Sequence, residues 1–128
     1  TTIANALDAL DAPPDGMLDV FAADGDRWSF ALLDEQDRVR ETAEKRRISP
    51  WASTGLYYFG RGADFVLHAD AMIADDDRTN NEFYVAPLYN RMIADGADIR
   101  ANRVEDVWVL GTPEDLAHFQ REYPATQP

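Results

Sequence analysis

The order of two hydrophobic periodicities is the feature that most constrains the fold of this chain. Apolar and polar residues follow strand-like patterns through most of residues 17–59, and turn-forming residues separate the runs. From residue 63 onward, apolar residues recur at helical spacing, with short strand-like runs between the helices. This order predicts an α/β fold in which helices pack on a mixed sheet. A length of 128 residues predicts a single domain over 1–128.

Turn and capping residues set the expected boundaries of the elements. Strands are predicted over 17–23, 27–33, 38–45, 52–59, 97–103 and 106–110, and helices over 1–11, 63–73 and 80–96. Pro87 leaves open whether residues 82–86 belong to the third helix. A fourth helix is predicted from Thr112 as cap, with Leu116 facing inward and Pro124 ending it.

Composition narrows the classes of function. The chain has 24 acidic and 12 basic residues and a net charge of −12, which argues against nucleic acid or an anionic membrane as a partner. It has no cysteine, so disulfides and thiolate metal sites are excluded. No apolar run approaches the roughly 18 residues that span a bilayer, and we expect a cytoplasmic protein.

Glu44 and Lys45 form a candidate site at the end of a predicted strand. Lys45 is the only lysine, and a compact ammonium suits a phosphate group. A neighbouring carboxylate can accept hydrogen bonds from sugar hydroxyls. The alternative is a solvated ion pair on an edge strand.

A second candidate lies in the segment Thr54-Gly55-Leu56-Tyr57. A glycine inside a strand weakens it unless a ligand or another backbone approaches closely. The alternative is a bulge next to a cluster of packed aromatic residues.

Four segments in this order resemble the carboxy-terminal portion of the sugar-phosphate nucleotidyltransferases, in particular the glucose-1-phosphate thymidylyltransferases. They are Glu44-Lys45, Ser53–Phe59, Asn81–Asn90 and Leu110–Leu116. The resemblance implies part of a nucleotide-diphospho-sugar transferase-like fold whose amino-terminal, nucleotide-binding half is absent. It implies an enzyme that joins an NTP to a sugar 1-phosphate, or a related phosphorylated acceptor, and releases pyrophosphate.

The same resemblance assigns site residues. Lys45 would hold the acceptor phosphate as the catalytic cation, and the rest of the acceptor would be bound by Glu44, Thr54, Gly55, Tyr57, Glu82 and Tyr84. The NTP and a phosphorylated small molecule are the implied partners. Sugar thymidylyltransferases carry further acidic residues where this chain has Tyr84 and Pro87, so the identity of the acceptor stays open.

The implied cofactor is Mg²⁺ in the full-length enzyme. Better-known members have Trp-x-Asp-x-Gly-Thr, whose aspartate helps to bind the metal, and this chain places Val109 at that position. A valine cannot ligate a metal, so the ligand is unknown: Asp106, Asp115 or the other half of the enzyme would have to supply it. For Asp115 the alternative is capping of the helix that follows.

The nucleotide-binding loop of such enzymes is glycine-rich and ends in arginine, and none of the seven glycines here forms it. We therefore expect the chain alone to be inactive. An incomplete sheet should also expose an apolar edge unless the chain forms a homo-oligomer or rearranges. The alternative function, from another class, is a non-catalytic binding or assembly module that keeps the fold without the chemistry.

Overall fold

A computed structural model of the protein describes residues 1–123, so Pro124 lies outside the described residues. The helices are α1 (Ile3–Asp8), α2 (Gly62–Ala74), α3 (Leu88–Ala94) and α4 (Pro113–Glu122). The strands are β1 (Gly16–Ala22), β2 (Ser29–Leu33), β3 (Val39–Glu44), β4 (Trp51–Phe59) and β5 (Ile99–Arg103). None of the described helices is long and apolar enough to cross a membrane.

The five strands form one mixed sheet in the order β3-β2-β4-β1-β5. Only β1 and β5 pair in parallel, and the other neighbours are antiparallel. The predicted α/β class with a mixed sheet is confirmed.

The main core lies between the sheet and α3. Tyr89 of α3 is fully buried, and it packs with Met92 against apolar side chains of β1, β2 and β5. Its hydroxyl lies 3.0 Å from the carbonyl oxygen of Met17 and 2.8 Å from that of Tyr58. Burial raises the pKa of Tyr89 far above the ordinary tyrosine value. Tyr89 and Asn90 therefore belong to the packing face of the helix.

Two predictions about elements are wrong. Residues 106–110 form no strand, because no described strand lies beside them to provide backbone partners. Leu116 does not face inward; it is 45% exposed, and α4 has no buried residue. Phe119 of α4 packs instead on Trp108, with ring centroids 5.3 Å apart.

Pro87 resolves the uncertainty about residues 82–86. It is the N-cap of α3, and the residues before it are not helical. Thr79 and Glu82 instead close a tight turn through reciprocal backbone hydrogen bonds of 2.9 Å. This turn holds the segment 82–86 beside the end of β3, where Thr42 donates a hydrogen bond to the carbonyl oxygen of Ala86.

Candidate functional site

Glu44 is the last residue of β3, and its carboxylate is buried. Its side chain is only 2% exposed, and Lys45 Nζ lies 2.9 Å from its Oε1. The hydroxyl of Ser29, directly opposite on β2, donates a hydrogen bond to its Oε2. A carboxylate taken out of water needs such partners. The alternative of a solvated pair is therefore wrong for Glu44.

Lys45 follows the strand in a left-handed backbone conformation, with φ of 54°. This conformation is unfavourable for a residue with a side chain, so its surroundings must stabilise it. Its backbone N–H donates to the carbonyl oxygen of Trp28 at 2.9 Å, and Nζ donates to that of Arg27 at 3.2 Å. Within residues 1–123, Nζ thus uses two of its three N–H groups, on Glu44 and Arg27. The third can bind a ligand.

Tyr84 and Glu82 approach this pair from the segment before α3. Lys45 Nζ lies 5.4 Å from the centre of the Tyr84 ring, within the range of a cation–π interaction. The Tyr84 hydroxyl donates to Glu82 Oε2 at 2.6 Å. This hydrogen bond, together with partial desolvation and the charges of Glu82 and Glu44, raises the pKa of Tyr84 above its usual value. The structure therefore brings Glu44, Lys45 and Tyr84 together, with Glu82 joined through Tyr84.

Thr54 and Gly55 lie in a bulge of β4. Three residues, 54–56, stand opposite the single residue Asp19 of β1, and Gly55 has φ of 93°. All three are exposed, and an added Cβ on Gly55 would meet nothing within 4 Å. Glycine is required here by the backbone conformation and not by a crowded neighbour.

The bulge and the Glu44-Lys45 pair lie at the same level of the sheet. Glu44 pairs with Ser29 of β2, and the β2–β4 register places Ser29 next to Ser53, immediately before the bulge. Two strand spacings separate them, about 10 Å. A small phosphorylated molecule can span that distance.

Tyr57 has a different environment from the other predicted site residues. It is half-buried, it packs against the core cluster, and its ring centroid is 6.1 Å from that of Tyr89. The structure thus makes Tyr57 a packing residue on the same face of the sheet as Glu44.

A separate cavity of about 410 Å³ surrounds the position where the family has its metal-binding aspartate. It is lined by Arg27, Glu105, Asp106, Val107, Trp108, Val109, Asp115 and His118. Asp115 Oδ2 accepts from the backbone N–H of Thr112 at 3.1 Å, and Oδ1 lies 3.4 Å from Arg27. Desolvation opposes ionisation of Asp115, but these hydrogen bonds outweigh it and hold its pKa below the usual value. The capping alternative for Asp115 is confirmed.

Val109 has no donor atom for a metal, and Asp115 is engaged in capping the helix. Glu105 and Asp106 are the other carboxylates that line this cavity. Among the described residues, no group of three or more His, Cys, Asp and Glu is arranged to hold a metal ion.

Two residues of the site were missed by sequence reasoning. Ser29 binds Glu44, and the backbone of Arg27 binds Lys45. The sequence feature that could have indicated Ser29 is its place in the β2–β3 hairpin, where it lies opposite Glu44. Only the register of the two strands shows that pairing.

No protein-family model and no curated protein matches the chain. Solved structures do match it. The nucleoside-diphosphate-sugar pyrophosphorylase from Vibrio cholerae RC9 is 36% identical with a TM-score of 0.79, over 85% of this chain and 47% of that one. A protein assigned as a glucose-1-phosphate thymidylyltransferase from Bacillus anthracis is 17% identical with a TM-score of 0.65, over 90% and 46%. The inositol-1-phosphate CTP transferase from T. maritima is 12% identical with a TM-score of 0.61, over 88% and 45%.

These likenesses define the class of protein: the fold is that of part of a nucleotidyltransferase. The resemblance to the sugar-phosphate nucleotidyltransferases is thereby confirmed, most directly by the 36% identity to the pyrophosphorylase. The chain spans about half the length of each of these structures, which is consistent with their carboxy-terminal portion.

Proposed function

We propose that this chain is the acceptor-binding half of a nucleotidyltransferase. The whole enzyme joins an NTP to a sugar 1-phosphate, or a related phosphorylated acceptor, and releases pyrophosphate. The observation that carries this proposal is the anchoring of Lys45. Its ammonium is held by a buried carboxylate at the end of the sheet, and it keeps one N–H for a ligand.

Each residue of the site has a distinct part in this proposal. Lys45 neutralises the acceptor phosphate, and Glu44 acts as a positioning residue because its carboxylate is buried beneath the ammonium. The exposed bulge at Thr54 and Gly55 offers backbone carbonyl groups to the hydroxyls of the acceptor, since the N–H of Gly55 already donates to Ser53 Oγ at 3.0 Å. Glu82 and Tyr84 lie on the side of the site away from the bulge, and Tyr57 supports the site by packing against the core.

The chemistry needs little more than positioning and charge. An oxygen of the acceptor phosphate attacks the α-phosphorus of the NTP, and pyrophosphate leaves with the electrons of the broken P–O bond. Both reactants are anions, so the Lys45 ammonium lowers the repulsion between them. When bound, Mg²⁺ supplies further neutralisation of the triphosphate. Because Val109 stands at the position of the family's aspartate and no group of three or more potential ligands is arranged among the described residues to hold a metal ion, we expect its ligands mainly in the nucleotide-binding half.

Binding of glucose 1-phosphate to this chain tests the proposal. We expect saturable binding by calorimetry or NMR titration, weakened roughly 30- to 150-fold in Lys45→Met, since a charge-assisted contact contributes about 2 to 3 kcal/mol. The matched control is Arg46→Met, which removes an adjacent cation whose partner is the exposed Glu41. Glucose, without phosphate, should bind far more weakly. Equal affinity of Lys45→Met and Arg46→Met for glucose 1-phosphate would contradict the assignment.

The second candidate is a non-catalytic binding module, and Val109 in place of the family's aspartate favours it. A single measurement distinguishes the two candidate functions. It is made on a chain that also contains the nucleotide-binding half. Release of pyrophosphate from an NTP and glucose 1-phosphate supports the enzyme. Binding of glucose 1-phosphate without such release supports the module.

A further inference from the structure

The acceptor site includes one carboxylate that has no counter-charge. Glu82 is exposed, and its Oε2 accepts a hydrogen bond of 2.6 Å from the Tyr84 hydroxyl. Within residues 1–123, no ion pair involves Glu82, and Arg78, four residues before it, pairs with Asp76 instead. The negative charge of Glu82 is therefore available to a ligand of the site.

The charged groups of this site add to a net negative charge. The Lys45 ammonium is balanced by the buried Glu44 carboxylate 2.9 Å away, and Glu82 adds a second negative charge. Arg46, the next residue in the chain, pairs with the exposed Glu41. Lys45 can donate a hydrogen bond to an acceptor phosphate, but the phosphate then adds further negative charge beside Glu82. A positive charge on the same ligand would compensate for this excess.

The environment of Tyr84 shows the same excess of negative charge. Its pKa is raised first by the hydrogen bond to Glu82, then by partial desolvation, and then by the charges of Glu82 and Glu44. Both carboxylates thus act on the Tyr84 hydroxyl, although Lys45 Nζ lies only 5.4 Å from the centre of its ring. A positive charge at this position would be stabilised by both carboxylates.

Tyr84 also sets the separation between Lys45 and Glu82. The ammonium lies against the ring of Tyr84, and the carboxylate binds its hydroxyl. One half-buried tyrosine side chain, comparable in length to a hexose ring, therefore separates the two charges. A single small molecule can place a phosphate at Lys45 and a second group at Glu82.

We propose that the acceptor carries a cationic amine in addition to its phosphate, and that Glu82 binds this amine. The inference rests on the proposed function, because it assigns the second group of an acceptor whose phosphate lies on Lys45. Within residues 1–123, only Oε2 of Glu82 accepts a hydrogen bond, and this bond to Tyr84 orients the carboxylate. Oε1 is left for the amine, and an ammonium there makes a charge-assisted hydrogen bond. Amino-sugar 1-phosphates and phosphorylated amino alcohols share this chemistry.

Three ligands that differ at one position test the proposal. Glucosamine 1-phosphate has an ammonium group where glucose 1-phosphate has a hydroxyl and where N-acetylglucosamine 1-phosphate has a neutral amide. By calorimetry at pH 7, the chain should bind glucosamine 1-phosphate about fivefold more tightly than glucose 1-phosphate, as for an ion pair that stays partly exposed. N-acetylglucosamine 1-phosphate should show no such gain. Equal affinity for glucosamine 1-phosphate and glucose 1-phosphate would overturn the proposal.

The variant Glu82→Gln tests whether Glu82 causes the preference. Its amide oxygen still accepts from the Tyr84 hydroxyl, so the contact is kept while the negative charge is lost. The ratio of the two affinities should then fall to about one. Glu35→Gln is the matched control, because Glu35 is exposed in the turn after β2, at the other end of that strand from Ser29. A preference that persists in Glu82→Gln, or that Glu35→Gln lowers equally, would assign the selection to the net charge of −12 and overturn the role of Glu82.

A fourth ligand distinguishes the two sources of this chemistry. O-phosphoethanolamine carries the phosphate and the ammonium without a sugar ring. If it binds more tightly than glucosamine 1-phosphate, the acceptor is a phosphorylated amino alcohol, and the reverse order assigns an amino-sugar phosphate.

The outcomes also separate this inference from the proposed function. Lys45→Met should weaken the binding of all these phosphorylated ligands. If glucose 1-phosphate binds through Lys45 as tightly as glucosamine 1-phosphate does, the amine is wrong and the acceptor site stands. If Lys45→Met changes nothing while Glu82→Gln abolishes the preference for the amine, the phosphate assignment is wrong and the amine contact stands.

Discussion

Two features act in opposite directions on Lys45. Its left-handed backbone disfavours a residue with a side chain, whereas the buried carboxylate of Glu44 favours a cation at this position. A glycine would fit the backbone better, but only a cation can balance Glu44. The local stability of this strand end therefore depends on the same charge that we assign to the acceptor phosphate.

A stability measurement follows from this dependence. Lys45→Met should lower the free energy of unfolding by about 1 to 3 kcal/mol, because it leaves a buried carboxylate with Ser29 as its remaining side-chain partner. Arg46→Met should change it by less than about 0.5 kcal/mol, since Arg46 is 68% exposed. Urea denaturation of both variants measures the difference. The double variant Glu44→Gln/Lys45→Met should recover part of the lost free energy of unfolding. If Lys45→Met unfolds at the same urea concentration as the wild type, Glu44 does not need the ammonium.

At the scale of elements, α4 shows how far local signals can specify a helix without burial. Thr112 and Asp115 form a reciprocal capping box, and Pro113 occupies the first turn. The helix nevertheless buries none of its residues, and Phe119 packs on the partly exposed side chain of Trp108. We therefore expect its stability to depend strongly on the cap.

The lowered pKa of Asp115 makes that dependence sensitive to pH. A carboxyl whose pKa is lower in the folded state contributes stability above its unfolded value of about 3.9, and this contribution is lost as pH falls through the folded value. Below about pH 3.9, the indole NMR signal of Trp108 should therefore shift as α4 loosens. Asp115→Asn keeps an acceptor oxygen but cannot titrate, so its Trp108 signal should lack this component. The same acid transition in both proteins would show that other carboxyls cause it.

At the scale of the whole molecule, the proposed function assigns to this chain only the acceptor side of the reaction. Its sequence contains no glycine-rich, arginine-terminated loop for an NTP, and its described residues include no group of three or more His, Cys, Asp and Glu arranged to hold a metal ion. We expect the purified chain to release no pyrophosphate from any NTP with glucose 1-phosphate and Mg²⁺. A coupled pyrophosphate assay checks this expectation, with Lys45→Met as the matched control. Turnover that disappears in Lys45→Met would show that the chain carries its own nucleotide site.

The sequence alone determined the class of fold and most of the elements. Strand alternation over 17–59 and the Thr112 cap of α4 are local properties, so they could be predicted without knowledge of the neighbours. The pairing of adjacent residues such as Glu44 and Lys45 is likewise visible in the sequence. Their roles in binding stay predictions.

Features that depend on residues distant in the sequence were decided only by the tertiary structure. Residues 106–110 have a strand-like sequence, yet a strand exists only where another backbone supplies hydrogen bonds. The partners of the Glu44-Lys45 pair are distant in the sequence: Ser29 lies 15 residues before Glu44, and the Tyr84 ring lies against Lys45. The same holds for the edge of the sheet at β3: Asn90 lies 48 residues from Thr42, and no local pattern shows that its side-chain amide binds the Thr42 backbone.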